Sequence, residues 1–175
     1  AVVTHPAVVS AMAELLLEAG CRKLSYGDSV GVGSMEKIAE GCGLADAMKE
    51  LAIPMADFNA CVRTEYPEGK MARRFHMAKA VTEADALLNL SKMKTHQLER
   101  MTGAVKNMYG CIQGLHKAKG HTRYSNAESF ARMLVDLNRY VRPRLYVMDG
   151  ITAMEGNGPA SGNPVAMGVM LISVS

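Results

Sequence analysis

Short apolar runs alternate along this chain with stretches of helical period, and that alternation constrains the fold more than any other feature. Residues 6–19 place Val8, Val9, Met12, Leu15, Leu16 and Ala19 at helical spacing. Pro6 suits the first helical position and Gly20 the C-terminal cap. Ala86-Leu87-Leu88-Asn89-Leu90 is too short for a helix and reads as a buried strand. Helical stretches are expected at 44–51, 78–83, 103–109 and 127–140, with Ser34 as the N-cap of one more. Strands are expected at 24–26, 52–58, 86–90, 145–148 and from Val165 onward, Pro54 counting against a central place for 52–58. Strands alternating with helices predict an α/β domain, a three-layer, mostly parallel sheet with helices on both faces. Ligands in such folds gather at the carboxyl ends of the strands.

The chain has 175 residues, enough for a single α/β domain over 1–175 with a substantial core. With 49% hydrophobic and 21% charged residues it has ordinary globular composition. No apolar run approaches the roughly 20 residues of a membrane helix, so no membrane partner is expected, and the opening Ala1-Val2-Val3-Thr4 has no basic leader region. The start at Ala1, and a last segment that reads as a strand cut short, predict a fragment of a longer chain. Cys21, Cys42, Cys61 and Cys111 form no C-x-x-C pair. That predicts reduced thiols, a cytoplasmic setting, and no zinc or iron–sulfur ligand set within the segment. His116 and His121 are spaced too loosely for a metal pair, and no metal site is expected.

Charge is unevenly spread. Between Lys92 and Arg123 seven basic residues face one acid, Glu99, a local charge of +6 in a chain whose net charge is +3. Such a field draws anions. Within it, Lys92-Met93-Lys94-Thr95-His96 follows the apolar strand. Alternation along an extended strand puts Lys92 and Lys94 on one side, where they repel unless an anion lies between them. Thr102-Gly103-Ala104-Val105-Lys106-Asn107 opens a helix with small residues that let backbone N–H groups approach a ligand, and Lys106 and Asn107 add a charge and an amide. Asp149 ends a predicted strand, followed by Glu155 and Asn157 in a Gly/Pro-rich loop.

These residues are similar to the signature blocks of a known family. Leu88-Asn89-Leu90-Ser91-Lys92-Met93-Lys94-Thr95-His96, Thr102-Gly103-Ala104-Val105-Lys106-Asn107 with Gly110, Val147-Met148-Asp149-Gly150 and Met154-Glu155-Gly156-Asn157-Gly158-Pro159 resemble those of the prokaryotic domain-of-unknown-function family three-six-two. The family usually has proline where this chain has Ser91. Its members are often labelled iron–sulfur cluster-binding proteins, because a ferredoxin-type module often accompanies the domain. The resemblance therefore implies a ferredoxin-type partner domain, with any [4Fe–4S] cluster in a region outside this chain and none within it. A fainter resemblance to the lactate racemase family, which holds a nickel-containing nucleotide cofactor through a lysine, would pick out Lys106 and His5.

The expected function is binding of a small anionic ligand or cofactor bearing phosphate or carboxylate, in a redox-associated setting. Lys92, Lys94, Thr95, Gly103, Lys106, Asn107 and Asn157 would bind it, with His96, Asp149 and Glu155 as catalytic acid/base groups. The competing expectation is a non-catalytic electron-transfer or scaffold module partnered with a ferredoxin-type domain. Nucleic-acid binding is disfavoured, because three Phe and no Trp supply few stacking surfaces.

Overall fold

The computed structural model describes residues 2–30 and 33–174. Gly31 and Val32, part of the Gly27–Ser34 loop, lie outside the described residues. The elements in chain order are α1 (Pro6–Glu18), α2 (Met35–Gly41), α3 (Leu44–Glu50), β1 (Cys61–Glu65), β2 (Arg74–Ala78) and α4 (Lys79–Glu83). They continue with β3 (Leu88–His96), β4 (Arg100–Thr102), α5 (Ala104–Asn107), a 3-10 turn (Met108–Cys111), α6 (Gly114–Arg123), α7 (Ala127–Val141), β5 (Leu145–Glu155) and β6 (Asn163–Val174). No helix among the described residues is long and apolar enough to cross a membrane.

The fold is mixed α/β, but the sheet is not mostly parallel. Four strands lie in the order β4-β3-β5-β6, and only β3 and β5 run parallel. The reason is local. β4 returns from β3 after a short turn at Gln97–Glu99, and β6 returns from β5 after the loop 156–162, connections too short for a crossover. A separate antiparallel ribbon pairs β1 with β2. Nor do helices cover both faces throughout: β6 leaves Met167, Met170, Leu171, Ile172 and Val174 exposed.

The strand expected at 24–26 reduces to a single bridge between Tyr26 and Met55, which also replaces the one expected at 52–58. Two strands outrun their apolar cores. β3 continues past Leu90 to His96, and β5 passes through Asp149-Gly150 to Glu155 rather than ending there. Gly150 is what lets β5 go on, since a Cβ there would come within 2.9 Å of Val169 and 3.2 Å of Met93.

The main core gathers Phe75 and Met77 of β2, Met108, Tyr109, Cys111 and Ile112, and Phe130, Met133, Leu134 and Leu137 of α7. Those four α7 residues repeat at helical spacing and make one buried stripe. Asn126 caps the helix by accepting from Ser129 N at 2.9 Å, and Arg142 closes it in the left-handed conformation at φ 50° before Pro143. A smaller cluster of Ala13, Met48 and Ile53 joins α1 to α3.

Within the α7 stripe sits one carboxylate. Asp136 is buried, and its oxygens accept from the backbone N–H groups of Lys70 (3.1 Å), Met71 (2.6 Å) and Ala72 (2.9 Å). Burial raises its proton affinity, but the three donors outweigh that and hold the carboxyl below its ordinary range. The loop entering β2 is thus pinned to α7 by one side chain. Asp136→Ala leaves the donors buried and unpaired, and chemical denaturation is expected to show a loss of about 3 kcal/mol. A loss below about 1 kcal/mol would mean that water replaces the carboxylate.

Candidate functional site

β3 carries two lysines with different fates. Lys92 is buried and donates to Asp149 Oδ2 at 2.7 Å across the parallel β3/β5 ladder, where the two residues stand opposite each other. Asp149 is fully buried. Its Oδ2 also accepts from His5 N at 3.0 Å, and its Oδ1 from Ile151 N at 3.1 Å. Burial pulls its proton affinity up, but Lys92 and the two N–H donors together hold the carboxyl low, so it stays ionised. The anion that Lys92 requires is therefore supplied from within the chain.

Lys94 lies past a register shift in the ladder and donates to Val2 O at 2.7 Å. Around it a second set of groups collects from four places: His96 from β3, Lys106 from α5, and Lys117 and His121 from α6, with Asp28 on the loop before α2. They lie close enough to alter one another's proton affinity. Burial, then repulsion from Lys117 and Lys94, pushes Lys106 down to about 8, against the pull of Glu99 and Asp28. Burial lowers Lys94 and Lys117 as well, in each case against the attraction of Asp28.

His96 is pushed down to about 4 by burial and then by Lys106, His121 and Lys94. Its Nδ1 accepts from Leu98 N (3.1 Å) and Glu99 N (3.3 Å), so the neutral ring carries its proton on Nε2. This suits a fixed hydrogen-bond donor better than a proton acceptor at neutral pH. His121 is lowered by burial and by Lys106 and Lys117, and its ring stacks on Phe130 with centroids 4.7 Å apart.

Negative charge is scarce here. Lys117 Nζ is 3.9 Å from Asp28 Oδ1, but about half of the Asp28 side chain is open to solvent. Lys117 also donates to Ser29 O. Gly110 makes room for Asp28, because a Cβ at 110 would fall 2.2 Å from its Oδ1. Neither Lys94 nor Lys106 has an ion-pair partner among the described residues. Two polar atoms nearby, Glu99 Oε1 and Thr102 Oγ1, are buried without a hydrogen-bond partner. Thr102 stands opposite Lys94 in the β3/β4 register.

The remaining expected site residues are placed otherwise. Asn107 Nδ2 is committed to Asn89 Oδ1 (2.8 Å) and Leu90 O (3.3 Å), which pins α5 on β3. Gly103 precedes a helix of only four residues, and a Cβ there would meet Met148 Sδ at 2.9 Å. Its smallness serves packing. Thr95 packs under Gly158, its own hydroxyl buried without a partner. Asn157 accepts from Gln97 at 2.8 Å, and Glu155 is exposed at the end of β5. The imidazole of His5 caps α1 by accepting from Ala7 N. So Lys94, His96 and Lys106 come together, while Lys92 and Asp149 form a separate buried pair. Lys117, His121 and Asp28 complete the cluster. Their one sequence signal is the +6 stretch, which covers the first two.

A cavity of about 670 Å³ lies beside the cluster, lined by Asp28, Glu36, Glu40, Asp57, Phe58 and Gln113 among others. Its lining is acidic, and Asp28 and Ser29, both in contact with Lys117, connect it to the lysines.

The sequence profile of the family described as a domain of unknown function (DUF362) matches residues 1–175. The chain belongs to this family. It is also 36% identical over 172 residues to a thylakoid-associated protein of Synechocystis sp.. The aligned region is 98% of this chain and 53% of that protein, so the chain spans about half the length of that relative. The blocks that carry the DUF362 resemblance are the ones that build β3, α5, β5 and the loop after it.

The two lysine environments predict opposite responses to neutralisation. Lys92→Met strands the Asp149 carboxylate in the interior and is expected to destabilise the fold by about 3–5 kcal/mol. Lys106 binds its proton less tightly folded than unfolded, so the charged form opposes folding at neutral pH. Lys106→Met is expected to raise the melting temperature by about 2–4 °C, roughly 1 kcal/mol in a domain of this size. Thermal denaturation at pH 7 distinguishes them, and the same sign for both would refute the assignment.

Proposed function

We propose that the cluster of Lys94, Lys106 and Lys117, with neutral His96 as a hydrogen-bond donor, binds a small anionic group, a phosphate or carboxylate on a ligand or cofactor. The observation that carries this reading is the shortage of negative charge around three half-buried ammonium groups, all lowered by burial, with Lys106 lowered further by Lys117 and Lys94. A preformed cationic cluster of that kind gains most from an anion, which reverses the mutual repulsion. Thr102 and Glu99, with unpartnered polar atoms, would meet the ligand's remaining hydrogen-bonding groups. Burial raises the proton affinity of Glu99 from its ordinary value, against the pull of Lys106.

Titration calorimetry of the full-length protein with inorganic phosphate and pyrophosphate tests the binding. Affinity is expected to fall as salt rises and as pH rises above about 8, where unliganded Lys106 loses its proton. The double substitution Lys94→Met with Lys106→Met keeps stem volume and is expected to weaken binding at least about tenfold, the equivalent of one charge-assisted contact of roughly 1.4 kcal/mol. A folded double variant that binds as tightly as the parent would reduce these lysines to a solvated face.

A further inference from the structure

Away from the lysine cluster, three side chains far apart in sequence meet on the outer face of the β1/β2 ribbon. Cys61 opens β1, His76 lies on β2, and His116 lies in the first turn of α6. One ligand atom from each falls within 4.8 Å of the others. Cys61 Sγ is 3.9 Å from His76 Nδ1. The imidazoles of His76 and His116 are stacked face to face, with centroids 3.8 Å apart and planes 3° from parallel.

From these residues we infer a transition-metal site, ligated by Cys61 Sγ and by one ring nitrogen from each of His76 and His116, for an ion of the zinc class. Around a tetrahedral ion with bonds of about 2.0 Å to nitrogen and 2.3 Å to sulfur, ligand atoms lie roughly 3.3–3.6 Å apart. The Cys61–His76 separation of 3.9 Å is a few tenths of an ångström wider and the other separations lie within 4.8 Å, so ligation requires the two imidazoles to turn out of their parallel stack until their ring nitrogens converge on the ion. Nitrogen and thiolate donors favour zinc or a similar soft or borderline ion over magnesium or calcium, which take oxygen.

The backbone presets this geometry. Cys61 and His76 are diagonal neighbours on one face of the ribbon, since Cys61 pairs with Ala78 and Arg63 with His76. Met77 bridges Ile112, and Gln113 N donates to His76 O at 2.9 Å, which fixes the start of α6 beside β2. Gln113 then caps that helix by accepting from Leu115 N at 3.2 Å. His116 N donates to Gln113 O at 2.9 Å, and one turn of helix sets its ring over His76. Arg63, directly opposite His76, is held by Glu65 at 2.8 Å. Because Cys61 is exposed, the fourth coordination position opens to solvent, as in sites where a metal-bound water or a small ligand completes the shell. A two-stranded ribbon is marginal alone, so an ion spanning β1, β2 and α6 also braces it. The site is independent of the anion-binding reading.

The test is titration of the chelator-treated full-length protein with cobalt(II), followed by optical absorption and competition with zinc. One equivalent bound at this site is expected to give a thiolate-to-cobalt charge-transfer band and the visible absorption of a tetrahedral ion. Zinc is expected to abolish both. Cys61→Ser should remove that equivalent and its charge-transfer band. His116→Ala should weaken it at least about tenfold, and the pair Cys21→Ser with Cys42→Ser should leave it intact. A spectrum unchanged by Cys61→Ser, or no cobalt equivalent that depends on His116, overturns the assignment. If Cys61→Ser fails to fold, alkylation of Cys61 by iodoacetamide in the parent decides instead. Protection by zinc supports the site, and an unchanged rate overturns it.

Discussion

The parallel pairing of β3 with β5 is the joint on which the rest of the molecule depends, and the Lys92–Asp149 ion pair lies at its centre. Two opposite charges buried in adjacent strands fix the register, because a slip by one residue would put them on opposite faces of the sheet. The same carboxylate receives His5 N, which seats the start of α1, and Ile151 N, which shapes the bulge that carries β5 onward. A buried pair of this kind adds little stability over an apolar substitute, but losing one partner is severe. Its contribution is to allow one arrangement of the strands and of the segment that crosses them.

That arrangement decides where the second lysine of β3 can act. Beyond the register shift, β3 pairs with β4 rather than continuing a regular ladder beside β5. Lys94 and His96 therefore emerge where α5 and α6 also arrive. α5 is held there by Asn89 and Asn107, whose amides bond each other and the backbone of both elements. The polar residues of the Leu88–His96 and Thr102–Asn107 blocks thus divide by task. Asn89, Lys92 and Asn107 hold the frame, while Lys94, His96 and Lys106 are left with incomplete partners.

Much of this was legible in the sequence where one physical signal dominated. Helical spacing of apolar residues, with Pro6 opening the first and Pro143 ending the second, located α1 and α7. The apolar run before Lys92 located the start of β3. The rest was hidden for specific reasons. Asp149-Gly150 has turn chemistry, but its carboxylate is consumed by Lys92 and its glycine admits Val169 and Met93, so the strand runs on. α6 has no buried residue and therefore no apolar stripe, which concealed Lys117, His116 and His121 as products of one helix. The mixed sheet follows from return loops whose length does not reveal strand direction. The meeting of Cys61, His76 and His116 depends on tertiary contacts across 55 residues and has no spacing signature.

Lysines on a solvated face behave differently from the cluster at the end of β3. Lys79, for example, pairs with Glu83 at 3.3 Å, one helical turn away, with both side chains more than half exposed. At Lys94, Lys106 and Lys117 the chain instead removes water from three ammonium groups and offers them Asp28, a partly solvated carboxylate, and carbonyl oxygens. Lys94 donates to Val2 O and Lys117 to Ser29 O, but at Lys106 no ion pair among the described residues requires the charge. A methionine would fill the same stems in a protein that already uses Met48, Met77, Met108 and Met133 in its interior. On the proposed anion-binding reading, the weakly compensated charge of Lys106, kept where an uncharged side chain of similar bulk would fit, is set for a ligand rather than for stability. Because the groups come from β3, α5 and α6 together, the binding of an anion would also tie those three elements to one another.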